Sequence, residues 1–311
     1  MMIWYHKKRQ IRTGWGGYSM RLLIYGAGVI GCLYAALFGQ AGYDTTLYAR
    51  GKRLEAFREN GLLYEIKGKT YKAEVKIIDL LKEDDKYDFI FLTVKENQVH
   101  TALKELSLNA SPNIVTMVNT LEPYSNWEKL CGKGRIIPAF PGAGGSFDNG
   151  ILKAALTPRM IQPTTFSEID GGQTKRLLRL AELLKEAGIP YQIVKDMHQW
   201  QLCHLAMVVP IADAYYEAQK PKEVWRECEV MTKTAKRMKR NFKSLHDSGI
   251  ALSPKKMNIF RCSPIFILKI GLTIVFRSNF GNVFMYQHSI NAPDEMRRLH
   301  TQFYQYMKSK E

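Results

Sequence analysis

The chain has too few cysteines, too widely scattered, for a disulfide framework or a structural zinc site. Cys32, Cys131, Cys203, Cys228 and Cys262 are odd in number, and no pair has Cys-x-x-Cys spacing. That pattern fits reduced thiols in a cytoplasmic protein, and no metal site is expected. An apolar run long enough to span a bilayer is also missing. The nearest, Pro264 to Phe276, is short and interrupted by Lys269, so no membrane partner is expected. Acid is scarce as well: 29 Asp and Glu face 45 Lys and Arg, a net charge of +16. Such an excess attracts anions, whether nucleic acid, an anionic cofactor or a small anionic substrate. The basic stretch 220–261 carries twelve Lys or Arg against four acids, with Lys233, Lys236, Arg237, Lys239, Arg240 and Lys243 around one expected helix. No recognised nucleic-acid motif accompanies it. It reads as a solvated helix face, and nucleic acid is not an expected partner.

The first nineteen residues contain no apolar core for a secretory signal. A strand is expected directly after Met20. The leader 1–19 is therefore read as a start-site misassignment, with Met20 the native start, or as a disordered basic tail.

The organising stretch is Arg21 to Arg50. A short apolar run, Leu22 to Tyr25, stops at Gly26-Ala27-Gly28-Val29-Ile30-Gly31; a helical pattern follows to Gly42, and a second apolar run ends at Arg50. This is a βαβ unit with an intact G-x-G-x-x-G. Gly26 permits the tight turn, Gly28 lets backbone approach a pyrophosphate, and Gly31 lets the helix pack on the strand. The helix start then offers free N–H groups to phosphate. An NAD site places Asp or Glu at the end of the second strand, whereas an Arg there suits the 2′-phosphate of NADP. Here the end reads Ala49-Arg50-Gly51-Lys52-Arg53, without acid. NADP(H) is the expected cofactor, with Arg50 on its extra phosphate and Lys52 and Arg53 as solvated charges.

Further strands are expected at Leu62–Ile66, Tyr71–Ile78, Tyr87–Val94, Asn113–Val118, Arg135–Phe140 and Tyr191–Val194. Helices are expected near 54–60, 97–106, around Trp127 and at Gln173–Ala187. Pro141-Gly142-Ala143-Gly144-Gly145 lacks the Lys-Ser or Lys-Thr of a P-loop and reads as a flexible connection. From Asp196 helical periodicity dominates. The expected organisation is an NADP-binding domain at 20–195 and a helical substrate or dimerisation domain at 196–311. The fold class is α/β, a Rossmann-type doubly wound parallel sheet followed by an all-helical C-terminal domain.

Gly26–Gly31, Ala49-Arg50-Gly51, Thr93-Val94-Lys95 with Gln98, the Asn119 strand end and Thr165–Gly171 together resemble the ketopantoate reductase family (2-dehydropantoate 2-reductase). The resemblance is good from Met20 to about Pro210 and faint beyond. It implies NADPH and reduction of a 2-keto group in a cleft between domains. Lys95 and Asn119 would then approach the nicotinamide and the substrate. The family's catalytic lysine is missing: aligning Leu202 and Pro210 puts Gln201 at its position, and aligning Trp200 puts Leu202 there. His204, three residues beyond Gln201 on about the same helix face, is the expected replacement proton donor. His198 is a weaker one, and Gln201 could hydrogen-bond a carbonyl. The family's Ser/Thr-Glu substrate segment has its nearest counterpart in Ser278-Asn279, with Asn in place of the acid.

Two functions follow. One is an NADPH-dependent reductase of a small anionic carbonyl, with Lys95, Gln201 and His204 in the chemistry and Asn119, Ser278 and Asn279 on the substrate. The other is a non-catalytic, NADP-binding, redox-responsive protein. Oligomeric state stays open, a homodimer included.

Overall fold

The computed structural model describes residues 20–310; the leader 1–19 and its expected origin lie outside the described residues. The chain divides into two compact units. One runs to Val118 and resumes from Pro123 to Lys195; the other comprises Asn119–Glu122 and Asp196 onward.

The first unit opens with β1 (Arg21–Tyr25), α1 (Val29–Gln40), β2 (Asp44–Tyr48) and α2 (Gly51–Asn60). Then come β3 (Leu63–Ile66), β4 (Lys69–Lys72), β5 (Lys76–Ile78), β6 (Phe89–Leu92), α3 (Val99–Ser107) and β7 (Ile114–Met117). It continues with α4 (Tyr124–Cys131), β8 (Ile136–Phe140), β9 (Ala143–Asp148), β10 (Ile151–Leu156), β11 (Thr164–Phe166), α5 (Lys175–Glu186) and β12 (Tyr191–Ile193). Eight strands form the main sheet in the order β12-β11-β8-β7-β6-β1-β2-β5. It is parallel from β5 to β8, while β11 runs antiparallel to β8. The expected parallel sheet thus spans β5 to β8, and β11 and β12 extend it in the opposite direction. The chain fills one side of β1 with β2 and β5, then crosses to fill the other with β6, β7 and β8. The order reverses between β1 and β6, the switch point where open α/β sheets bind ligands.

A second sheet, β4-β3-β10-β9, corrects two expectations. Pro141–Gly145 is not a flexible connection: from Ala143 it is β9, paired antiparallel with β10. Gly145 allows close contact, since a Cβ there would lie 2.3 Å from the Lys153 carbonyl oxygen. Tyr71–Ile78 is not one strand but two. Lys67 and Gly68, both at positive φ, turn β4 back onto β3, and β5 joins the main sheet beside β2. Helix α1 is buried from Gly31 to Gly39, as a helix apolar on all sides must be. Its core partners come from both sheets, including Leu22, Phe91, Leu152 and Leu156.

The Thr165–Gly171 segment braces α5. The Glu168 carboxylate accepts hydrogen bonds from Arg176 and Thr174, and Thr174 accepts from the Leu177 N–H at the start of the helix. Burial pushes the Glu168 carboxyl up, but the bonds from Arg176 and Thr174 outweigh it and hold it below its ordinary range. A depressed acid stabilises fully above its unfolded pKa and loses that contribution as pH falls through the folded value. Glu168→Gln is therefore expected to cost about 1–3 kcal/mol at neutral pH. Urea unfolding would show the gap to wild type closing below about pH 4. A gap independent of pH would contradict the ion pair's role.

The second unit is helical: α6 (Met197–Glu217), α7 (Cys228–Asp247), α8 (Asn258–Cys262), α9 (Ile265–Arg277), α10 (Gln287–Asn291) and α11 (Pro293–Lys308). Its core is built from α6, α7, α9 and α11, with Phe242, Leu272 and Phe303 among its buried members. Pro210 lies inside α6 and has no N–H for the carbonyl of Ala206 one turn back. Asn241 of α7 reaches that carbonyl instead, at 3.3 Å. The basic run behaves as a solvated face. Lys233, Lys236, Arg240 and Lys243 are exposed, and Lys233 and Arg237 pair with Glu217.

Candidate functional site

The glycine turn sits at the C-terminal end of β1, beside the end of β6. Gly26 has φ of +124°, a conformation side chains disfavour. An ideal Cβ on Gly31 would lie 2.0 Å from the Gly26 oxygen and 2.5 Å from Thr93 Oγ1, so only glycine fits. Gly28 is different: its nearest neighbour would be the Thr93 oxygen at 4.0 Å. Packing within the protein does not demand glycine there, which leaves the surface open to an approaching ligand. Thr93, which the sequence marks only as part of the Thr93-Val94-Lys95 resemblance, supports the turn. Its Oγ1 donates to the Gly26 oxygen at 2.8 Å, and its N–H donates to Tyr25 at 2.9 Å.

Helix α1 begins at Val29 and Ile30 behind Ala27 and Gly28. No side chain caps it, and no acid lies in its first turn. Its first N–H groups therefore face no competing side-chain acceptor of their own. Together with the positive end of the helix dipole, that is a fit for phosphate.

Arg50 ends the second strand segment, immediately before α2. Its side chain is 58% exposed. The guanidinium lies 5.3 Å from the Tyr48 ring centre and 3.6 Å from Glu105 of α3, and donates weakly to the Tyr25 hydroxyl at 3.4 Å. The corner thus holds an acid that local sequence did not show. Glu105 also accepts from the Tyr25 and Tyr48 hydroxyls, and those two rings stack with centres 4.5 Å apart. Burial first, then the bond to Glu105, raises both phenol pKa values, so both stay protonated donors. Glu105 shares its charge among three donors while Arg50 keeps an exposed edge. Of the neighbouring cations, Arg53 stacks on Phe147, 3.7 Å from the ring centre, and Lys52 is exposed.

Lys95 follows β6 and is exposed, capping the 3₁₀ turn Glu96–Gln98 through its carbonyl. Asn119 follows β7; it is 6% exposed, and its Oδ1 is buried without a hydrogen-bond partner. A buried acceptor without a donor is costly, and a bound ligand donor would relieve it.

In the helical unit, α6 starts at an Asp196 cap that accepts from Gln199 N–H at 3.0 Å. Gln201 and His204 are both buried. The His204 ring stacks on Trp200 with centres 5.2 Å apart and planes 8° from parallel. The His198 imidazole is held below its ordinary range, chiefly by burial. That weakens it as a proton donor near neutrality. Ser278 is committed locally: its hydroxyl donates to Val275 and accepts from Gly281 N–H at the end of α9. Asn279 beside it is exposed.

Residues 22–152 match the model of the ketopantoate reductase PanE/ApbA family. That segment is a ketopantoate reductase-family domain. It contains the glycine turn, Arg50, Lys95 and Asn119. Among curated relatives, a 2-dehydropantoate 2-reductase of Archaeoglobus fulgidus is 29% identical over 178 residues, covering 57% of each chain. Another from Mesorhizobium japonicum is 34% identical over 199 residues, covering 57% of this chain and 61% of the relative. The chain thus matches less than two thirds of the length of these relatives. The fold extends further. A 2-dehydropantoate 2-reductase structure from Geobacter metallireducens superposes with a TM-score of 0.65 at 17% identity, covering 92% of this chain and all of that one. A D-mandelate dehydrogenase in complex with NADH gives 0.64 at 15% identity, covering 94% and 97%.

Proposed function

We propose that the protein is an NADPH-dependent reductase of a small 2-oxo acid or related carbonyl. The observation that carries this reading is the uncapped, acid-free start of α1 behind a Gly26–Gly31 turn at the switch point of the sheet. In it, the first-turn N–H groups and Gly28 hold the pyrophosphate. Arg50 takes the 2′-phosphate. The unpartnered Asn119 Oδ1 accepts from the cofactor or substrate, and Lys95 attracts the substrate's negative charge. The bound nicotinamide supplies the hydride. His204 gives a proton to the carbonyl oxygen, Gln201 donates an amide hydrogen bond to it, and Ser278 and Asn279, just past the end of α9, are the candidate substrate contacts. Relatives named for 2-dehydropantoate reduction and a mandelate dehydrogenase support a 2-oxo or 2-hydroxy acid as the substrate class.

The second reading, a non-catalytic NADP-binding protein, is favoured by one observation. Neither Gln201 nor Leu202, the two residues that alternative alignments of this helix put at the family's lysine position, carries an ionisable proton. NADPH oxidation measured against a panel of 2-oxo acids separates the two. Turnover of at least one acid is expected, whereas tight NADPH binding with no turnover across the panel would support the second.

Arg50→Ala tests cofactor choice. Losing charge-assisted bonds worth about 1.5–3 kcal/mol should weaken NADPH roughly 10- to 150-fold and leave NADH within a few-fold. Equal losses for both cofactors would remove Arg50 from the 2′-phosphate.

A further inference from the structure

Helix α9 carries a face that nothing in the helical unit covers. Phe266, Ile270 and Ile274 follow one another at four-residue spacing and are 64, 57 and 64% exposed. Ile267, at 47%, and Gly271 widen the stripe, and exposed Arg277 ends it. The opposite side, Leu268, Leu272 and Phe276, is buried in the core. Large apolar side chains clustered on one exposed face mark an interaction surface.

Charge selects the partner. From Ser248 to Pro293 the sequence has no Asp or Glu, while Lys255, Lys256, Arg261, Lys269 and Arg277 contribute five positive charges. Lys255, Lys256 and Arg277 are exposed, as is Ile259 on α8. A second copy of the chain meeting this face would bring cations against cations, with no acid from the same segment to pair them. An anionic surface would complement both features. An apolar face edged by Lys and Arg is the pattern of a helix lying in a charged membrane interface. The helix does not span: thirteen residues rise about 20 Å, short of a hydrocarbon core of about 30 Å. Among the described residues, no single helix is long and apolar enough to cross a membrane.

We propose that α9 docks this protein on an anionic lipid surface, inserting Phe266, Ile267, Ile270 and Ile274 among the acyl chains while Lys and Arg meet the head groups. The proposal stands independently of the reductase reading. The test is flotation of the full chain with vesicles of phosphatidylcholine alone, or with about one third phosphatidylglycerol. Binding is expected on the anionic vesicles, at least tenfold weaker on the neutral ones, and reduced by salt. Ile270→Asp and Ile274→Asp should each abolish flotation while leaving the thermal midpoint and NADPH affinity unchanged, because both sites are exposed. Three results would overturn the proposal: no flotation with anionic vesicles at low salt, flotation that survives both substitutions, or a dimer by light scattering that Ile270→Asp dissolves. The last would assign the face to a second copy of the chain.

Discussion

Gly31→Ala is expected to remove saturable NADPH binding. The added Cβ would meet backbone, the Gly26 oxygen at 2.0 Å, rather than a side chain that can swing away. Relief requires either lifting α1 off β1 or moving Gly26, whose φ of +124° and bond from Thr93 define the turn. Overpacking of this kind costs about 1–3 kcal/mol in stability, and occasionally more. The displaced first-turn N–H groups would no longer converge on phosphate. Fluorescence titration checks binding and a thermal melt checks folding. Gly42→Ala is the control. It is strained, since φ is +88°, but its Cβ would meet nothing within 4 Å, so stability should drop while NADPH affinity persists. A Gly31→Ala protein binding NADPH within about threefold of wild type would contradict the cradle.

The second large effect concerns the proton. General acid catalysis contributes about 10²- to 10⁴-fold, so His204→Ala should lower kcat by that factor and leave NADPH affinity intact. The ring's stacking on Trp200 fixes its plane, and its burial keeps bulk water from replacing it easily. Gln201→Lys on the His204→Ala background supplies an ionisable group one turn earlier on α6. Burial lowers a lysine's pKa toward neutrality, which suits it to donate, so part of the lost rate should return. Turnover unchanged in His204→Ala would reject His204 as donor. Rescue by Gln201→Lys would show that position 201 faces the reacting carbonyl.

Much of the geometry of the proposed cofactor site was legible because it is local. Gly26, Gly28, Gly31 and Arg50 lie within one βαβ unit, where spacing alone fixes geometry. What stayed hidden depends on contacts far apart in sequence. Thr93 supports the turn from 67 residues away, and Glu105 reaches Arg50 and two tyrosines from α3. The Thr93-Val94-Lys95 motif marks Thr93 without showing what it contacts, and no local pattern marks Glu105. The Pro141–Gly145 stretch read as a loop because glycine usually breaks strands. In β9 Gly145 is required, because a Cβ there would meet the β10 backbone at Lys153 and Ala154. Tyr71–Ile78 read as one strand because Tyr71, Ala73, Val75 and Ile77 alternate with charged or apolar neighbours throughout. The turn at Lys67-Gly68 was legible, but β4 ends at Lys72 and β5 departs for another sheet. The helical unit was legible in class from its periodicity. Its partnerships were not, as with Asn241 serving the carbonyl that Pro210 leaves free.

Parallel fluorescence titrations of the full chain with NADPH and NADH test the central claim most directly. Saturable binding of NADPH, at least tenfold tighter than NADH, is predicted from the α1 start and the exposed edge of Arg50. No binding of either nucleotide, or NADH binding as tightly as NADPH, would contradict it.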